Sequence, residues 1–353
     1  MKNIKEKSAQ LALVLGAGIA GAFFAVLIGM PIPFLIGSLL AAAIVSLAYV
    51  GKTGQKLFYP ETLRRGFIAV IGTMIGSTFS PEVLQMAPIL LVTLTAMAVF
   101  VVLVQGANFV IFRRLGGYDT ATATYAAMPG GLIEAITLGE KAGANVEQLS
   151  MQHFVRIVVV IVSVPMLFLA VTGESVGSAA GETLERSPAD LLDWVLVAVL
   201  ATVGFWVGQR LRLPAAPLTG PLIITGVLQA TGVIDLQGPT NLLNIAQLIV
   251  GAGLGARFSN ATPSQMVRSL GLGCVSITVT LLIASALALL LVQLAPVSFQ
   301  TMLISFAPGG VTEMSLIALT LNVSPVLVSA HHLARILMTV AMISLWAKLN
   351  DRP

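Results

Sequence analysis

Charge is scarce in this chain. Only 10% of its 353 residues are Asp, Glu, Lys or Arg, whereas a soluble globular domain carries about 25%. Cysteine occurs once, as Cys274 in an apolar run, which excludes a disulfide framework and a thiolate metal cluster. The three histidines, His153, His331 and His332, are divided between two distant parts of the chain and offer no copper or iron ligand set. No loop is long enough for a soluble DNA-reading domain. The net charge of +4 and pI near 9.4 therefore point to basic loops flanking apolar segments, not to nucleic acid.

Hydrocarbon fills the chain instead. Hydrophobic residues make up 57% of it and the mean hydropathy is +0.96. Apolar runs fall near 10–29, 33–50, 64–79, 86–112, 149–170, 190–208, 215–232, 242–256, 268–292 and 326–347, each close to the ~20 residues a spanning helix needs. The runs are continuous, not alternating, so the fold class is an all-α polytopic membrane protein and not a β-barrel. The basic start MKNIKEKSAQ enters the first run without a convincing small-residue cleavage site, so an uncleaved first helix is expected. Tyr49, Trp194, Trp206 and Trp346 fall near the ends of runs, as an interfacial belt should.

Two further segments, 119–142 and 299–322, are interrupted by Pro-Gly-Gly, and they are one element written twice. Residues 128–157 align without a gap to 307–336 at a constant offset of 179. The matched pairs include Pro129/Pro308, Gly130/Gly309, Gly131/Gly310, Glu134/Glu313, Ser150/Ser329, His153/His332 and Arg156/Arg335, while Gln152 faces His331. The duplication reaches further: Gly72 and Gly76 match Gly251 and Gly255, and Pro31 and Gly37 match Pro214 and Gly220. The glycine pairs read most simply as close helix-packing faces.

Loop charge indicates whether the broken segments cross the membrane. If both turn back and the N-terminus is cytoplasmic, then Lys52, Lys56, Arg64, Arg65, Arg113, Arg114, Arg210, Arg212, Arg257, Arg268, Lys348 and Arg352 all lie inside. Glu82, Asp235 and the acidic stretch Glu174, Glu182, Glu185, Asp190 then lie outside. If both cross, four of those arginines move out. The positive-inside rule selects the first arrangement: ten spanning helices and two re-entrant hairpins, both termini cytoplasmic, in a bacterial inner membrane. The expected organisation is membrane repeat 1 over 1–170, an extracytoplasmic linker over 171–189, and membrane repeat 2 over 190–353. Five crossings per repeat is odd, so the second repeat must be inverted, a plan of secondary transporters whose substrate sits near the midplane.

Each hairpin limb of about ten residues spans ~15 Å, half the hydrocarbon core. The tip then lies at mid-depth, where the second limb's free N–H groups and positive dipole end favour an anion. Glu134 and Arg156 lie about equally far from the turn near Gly143–Val146, as do Glu313 and Arg335 around Asn322–Pro325. Ion pairs Glu134–Arg156 and Glu313–Arg335 are expected, because a lone charge at that depth is costly. Such pairs can be structural locks or substrate contacts, and both readings stay open here. His153 and His332, three residues before the arginines, share their helix face. The candidate substrate-binding set is thus Pro129, Gly130, Gly131, Glu134, His153 and Arg156 with Pro308, Gly309, Gly310, Glu313, His332 and Arg335. No cofactor and no metal site is expected; H⁺ or Na⁺ is the expected coupling ion.

The twice-repeated PGG-x-x-E followed by H-x-x-R, in a membrane protein of this length, resembles the bacterial AbrB-type duplicated membrane protein family, and the resemblance spans essentially the whole chain. Its members carry labels of ammonia monooxygenase or of gene-expression regulator. The histidine and loop arguments above speak against both chemistries here. The expectation is a secondary transporter of a small anionic metabolite, with a channel or a membrane sensor acting through a partner as alternatives. No enzyme is expected, since no nucleophile–base pair stands at recognisable spacing. The expected partners are a small-molecule substrate and the lipid bilayer, not nucleic acid, and a homo-oligomer is left open.

Overall fold

The computed structural model describes residues 2–81, 87–172, 190–236, 238–260, 263–321 and 323–350. Of the expected linker over 171–189, residues 171 and 172 belong to the helix that ends at Thr172, and the rest, with Glu174, Glu182 and Glu185, lies outside the described residues, as do Glu82 and Arg352. The described residues form fourteen α-helices: α1 (Lys2–Leu27), α2 (Pro33–Thr53), α3 (Glu61–Gly76), α4 (Ala87–Val110), α5 (Thr120–Ala126), α6 (Leu132–Lys141), α7 (Val146–Thr172), α8 (Leu191–Arg210), α9 (Ala216–Ala230), α10 (Thr240–Ala256), α11 (Pro263–Leu294), α12 (Phe299–Phe306), α13 (Val311–Thr320) and α14 (Pro325–Asn350). Eight of them, α1, α2, α4, α7, α8, α10, α11 and α14, are long and apolar enough to cross a membrane. The protein is a multi-pass, all-helical membrane protein. Of the ten expected crossings, α3 with 16 residues and α9 with 15 are shorter than the ~20 residues a spanning helix needs.

The chain forms two compact units. Unit 1 comprises 1–83, 165–261 and 315–326; unit 2 comprises 84–164, 262–314 and 327–353. Each unit draws on both halves of the sequence.

Unit 1 is held by glycine-mediated contacts that occur in matched pairs. Gly21 of α1 lies against the Gly37 carbonyl of α2, and Gly204 of α8 faces Pro221 and Gly220 of α9. Gly72 and Gly76 of α3 seat on the Leu218 and Leu222 carbonyls of α9, while Gly251 and Gly255 of α10 seat on the Leu35 and Leu39 carbonyls of α2. A methyl group at any of these glycines would collide with backbone, so the backbones approach as only small residues allow. The entry to α2 repeats too: Ile32 has φ 46 and Ala215, before α9, has φ 49. Left-handed backbone at a β-branched residue is costly, so its recurrence at the matching position marks a constraint of the fold. At one end of unit 1, Arg64 donates to Glu61 at 2.6 Å and Arg257 lies 3.3 Å from the same carboxylate. Helices α3 and α10 thus meet across 196 residues of chain.

Unit 2 holds both Pro-Gly-Gly breaks. Its α4 and α11 are joined by a buried polar bridge, in which Asn108 Nδ2 donates to Thr280 Oγ1 at 3.3 Å and Ser276 Oγ donates to Asn108 Oδ1 at 2.8 Å. Phe100 of α4 meets Phe306 of α12 edge-on at 5.1 Å.

Candidate functional site

The first broken segment begins with a cap. Asp119 Oδ1 accepts from Thr122 N at 2.9 Å, which satisfies a free donor at the start of α5. Thr122 Oγ1 donates to Asp119 Oδ2 and accepts from Asn145 N at 2.8 Å. Asn145 immediately precedes α7, so the two ends of the 119–145 stretch meet. Gly139 of α6 brings that helix against α5: a methyl there would lie 3.2 Å from Tyr125 Cβ. The second segment repeats the cap at the same offset, with Ser298 Oγ accepting from Thr301 N at 3.1 Å.

Helix α5 stops at Ala126 and α6 starts at Leu132; α12 stops at Phe306 and α13 starts at Val311. Pro129, Gly130, Pro308 and Gly309 are buried in the breaks. Gly131 takes φ 73 as the N-cap of α6, a conformation glycine adopts freely. Gly310 does not share that backbone, so the two tips have the same sequence but different turns.

Each arginine reaches back to the break of its own copy. Arg156 Nη1 donates to the Met128 carbonyl. Arg335 Nη1 donates to the Ala307 carbonyl at 2.5 Å, and its Nη2 to the Gly309 carbonyl at 2.6 Å. Met128 and Ala307 are themselves 179 residues apart, so the bond is duplicated with the sequence. These carbonyls end the first limb, where the helix dipole is negative. The glutamates lie at the other pole. Glu134 and Glu313 stand in the first turns of α6 and α13. Glu134 Oε2 is 3.1 Å from where a Cβ on Gly131 would be, and the Glu313 carboxylate occupies the corresponding space at Gly310.

The expected ion pairs Glu134–Arg156 and Glu313–Arg335 are therefore corrected. Among the described residues no such pair forms. Similar depth from the intervening turn is not proximity. Each charge instead answers the dipole end nearest to it: the cation meets the C-terminal carbonyls and the anion the N-terminal turn.

The copies also converge. A Cβ on Gly130 would lie 3.4 Å from Arg335 Nε, and one on Gly131 would lie 3.6 Å from Val340, so the first tip packs on α14. Arg156, bonded to the Met128 carbonyl, and Arg335, beside Gly130, thus both reach the first break. Arg335 is 1% exposed and Arg156 7%, and the Nε of each is buried without a hydrogen-bond partner. His153 is 2.9 Å from the Tyr125 carbonyl through Nε2. Its counterpart His332 is fully buried with both ring nitrogens unpartnered, as is the Ser305 hydroxyl on α12. His331 binds the Leu327 carbonyl one turn back, while Gln152 at the matching position reaches Tyr118 and the Ser269 carbonyl.

Sequence reasoning missed the caps Asp119/Thr122 and Ser298/Thr301, which the offset of 179 would have found. It also missed Ser305, for which no sequence signal exists.

The chain matches the family described as "Transition state regulatory protein AbrB" over residues 47–350. It belongs to the AbrB family. Similar proteins include "Uncharacterized protein YhjN" of Bacillus subtilis (strain 168), 24% identical over 344 residues covering 92% of this chain and 88% of that protein. Another is the "Putative regulator AbrB" of Escherichia coli (strain K12), 25% identical over 315 residues covering 87% and 86%. The match takes in both broken segments, so this AbrB-family chain carries the full duplicated element within the shared region.

Proposed function

We propose that this protein is a secondary transporter of a small anionic metabolite, with its site where the two Pro-Gly-Gly breaks converge. One observation carries the reading: two buried guanidinium groups, from two copies of one element, both reach the first break and each keeps an Nε–H without a partner. An arginine N–H can only donate, and an unmet donor away from water is costly. A carboxylate or phosphate would supply the acceptors and balance the two buried positive charges. The free N–H groups of the half-helices are a poorer candidate, because Glu134 and Glu313 already lie against those turns.

The membrane arrangement we attach to this has ten crossings in two inverted repeats, with both broken segments as re-entrant hairpins in a bacterial inner membrane. The meeting of Thr122 with Asn145 supports a returning first segment. The Glu61–Arg257 contact supports it independently. With α3, α4, α7, α8, α9 and α10 as crossings, six passes separate the two residues, and an even number leaves both on one side. H⁺ or Na⁺ is the proposed coupling ion, and the chain is proposed to have no enzymatic activity.

A sensor is the second reading, favoured by the word "regulator" in the name of the Escherichia coli relative. Proteoliposomes with radiolabelled mono- and dicarboxylates separate the two. A transporter gives saturable uptake with counterflow that R156Q and R335Q abolish, whereas a sensor binds without flux. A channel gives flux without counterflow. Confirmed uptake that survives both arginine substitutions contradicts the proposed site.

A further inference from the structure

Away from the arginines, unit 2 contains an open cleft of about 220 Å³ between α4, α5 and α14. It is lined by Gly106, Phe109, Thr124, Met342, Ile343 and Trp346 with Gln105. Its walls are almost wholly apolar, and it is larger than the ~150 Å³ cavities that hold a benzene ring. Gly106 has nothing within 4 Å of where a side chain would start, so the absence of a side chain there leaves the cleft open without serving any helix contact.

The cleft has a polar end. Gln105 and Phe109 are four residues apart on α4, and the same stripe continues to Arg113. Arg114 follows it in the wider helical turn at Ile111–Leu115. Both arginines are exposed, and among the described residues neither meets a carboxylate. Arg113 donates to the Tyr118 carbonyl at 2.7 Å, and Arg268 donates to the Gly116 carbonyl at 2.6 Å. Two guanidinium groups are thereby held on one short loop, with Arg114 exposed at its start. The neighbouring acid, Asp119, is engaged in capping α5. Trp346, which also lines the cleft, is the residue type that marks a headgroup boundary.

We infer that this cleft binds one phospholipid with an anionic headgroup, its acyl chain along Phe109, Met342 and Ile343 and its phosphate at Arg113 and Arg114. The charge decides the headgroup and the apolar groove decides the tail. Since the groove is walled by Thr124 of α5, the lipid braces the helix that carries the first break. The inference is independent of what the protein transports or senses.

Native mass spectrometry of the purified chain with phosphatidylglycerol or phosphatidylcholine tests it. The expected result is one retained phosphatidylglycerol and no comparable retention of phosphatidylcholine. R113Q and R114Q should each weaken retention about fivefold, the worth of one basic residue near an anionic headgroup. Gly106→Leu should abolish it by filling the groove. Gly66→Leu, at another glycine with open space around it, should change nothing and controls for a leucine added to the surface. Equal retention of the two lipids, or a preference unchanged in R113Q/R114Q, overturns the inference. So does a dimer that Gly106→Leu converts to monomer, because the cleft would then be covered by a second copy.

Discussion

Arg335 Nη1 donates to the Ala307 carbonyl at 2.5 Å, and this bond ties α14 to the break between α12 and α13. It is charge-assisted and buried, and Arg335 adds a second bond to Gly309 at 2.6 Å. Truncating the cation leaves both carbonyls unmet. R335Q should cost about 1–3 kcal/mol of stability, read as a lower Tm in detergent. R335K should cost less, because an ammonium can still reach one carbonyl but cannot fork to two.

The two tips should respond differently to alanine. Gly131→Ala forces a left-handed backbone on an L-residue and should cost about 1–2 kcal/mol. Adding Glu134→Ala should not rescue it, because the strain is in the backbone. At Gly310 the obstacle is the Glu313 carboxylate, so Glu313→Ala should recover much of the loss in Gly310→Ala. Thermal unfolding of the two double-mutant cycles checks this. Equal rescue in both would show that the tips are alike.

The paired glycine contacts of unit 1 make a third test. Gly251→Ala places a methyl against the Leu35 carbonyl and Ser38, and Gly72→Ala places one against Leu218. Each should lower stability by about 1–3 kcal/mol. Gly66→Ala, with nothing within 4 Å, should raise it by about 0.5–1 kcal/mol through helix propensity.

These outcomes separate what the sequence made legible from what it did not. The offset of 179 was enough to identify Gly72/Gly251 as packing positions and Arg156/Arg335 as equivalent residues, each bonded to the break of its own copy, because duplication preserves contacts. It could not pair charges correctly. Counting residues from a turn gives depth, but whether Arg156 meets Glu134 or the Met128 carbonyl depends on azimuth and on the dipole ends at the break. The left-handed Ile32 was also illegible, since nothing local to a β-branched residue favours that backbone.

Glu61, the first residue of α3 and ahead of the apolar run that begins at residue 64, supplies a pH test. Partial burial pushes its pKa up, but the Arg64 and Arg257 guanidinium groups outweigh that and hold it below the usual 4.5. A carboxylate whose folded pKa is depressed stabilises the fold above its unfolded pKa. The contribution is lost as pH falls through the lower folded value. The Tm gap between the wild type and R257Q should therefore be present at pH 7 and shrink below about pH 4.5.

The account depends above all on the first broken segment turning back, and chemical labelling reads this directly. In a Cys274→Ala background, single cysteines at Thr120 and Glu140, both exposed, are probed with a membrane-impermeant maleimide in right-side-out and inverted vesicles. The account predicts that both label from the same, cytoplasmic, side. Labelling from opposite sides would contradict it.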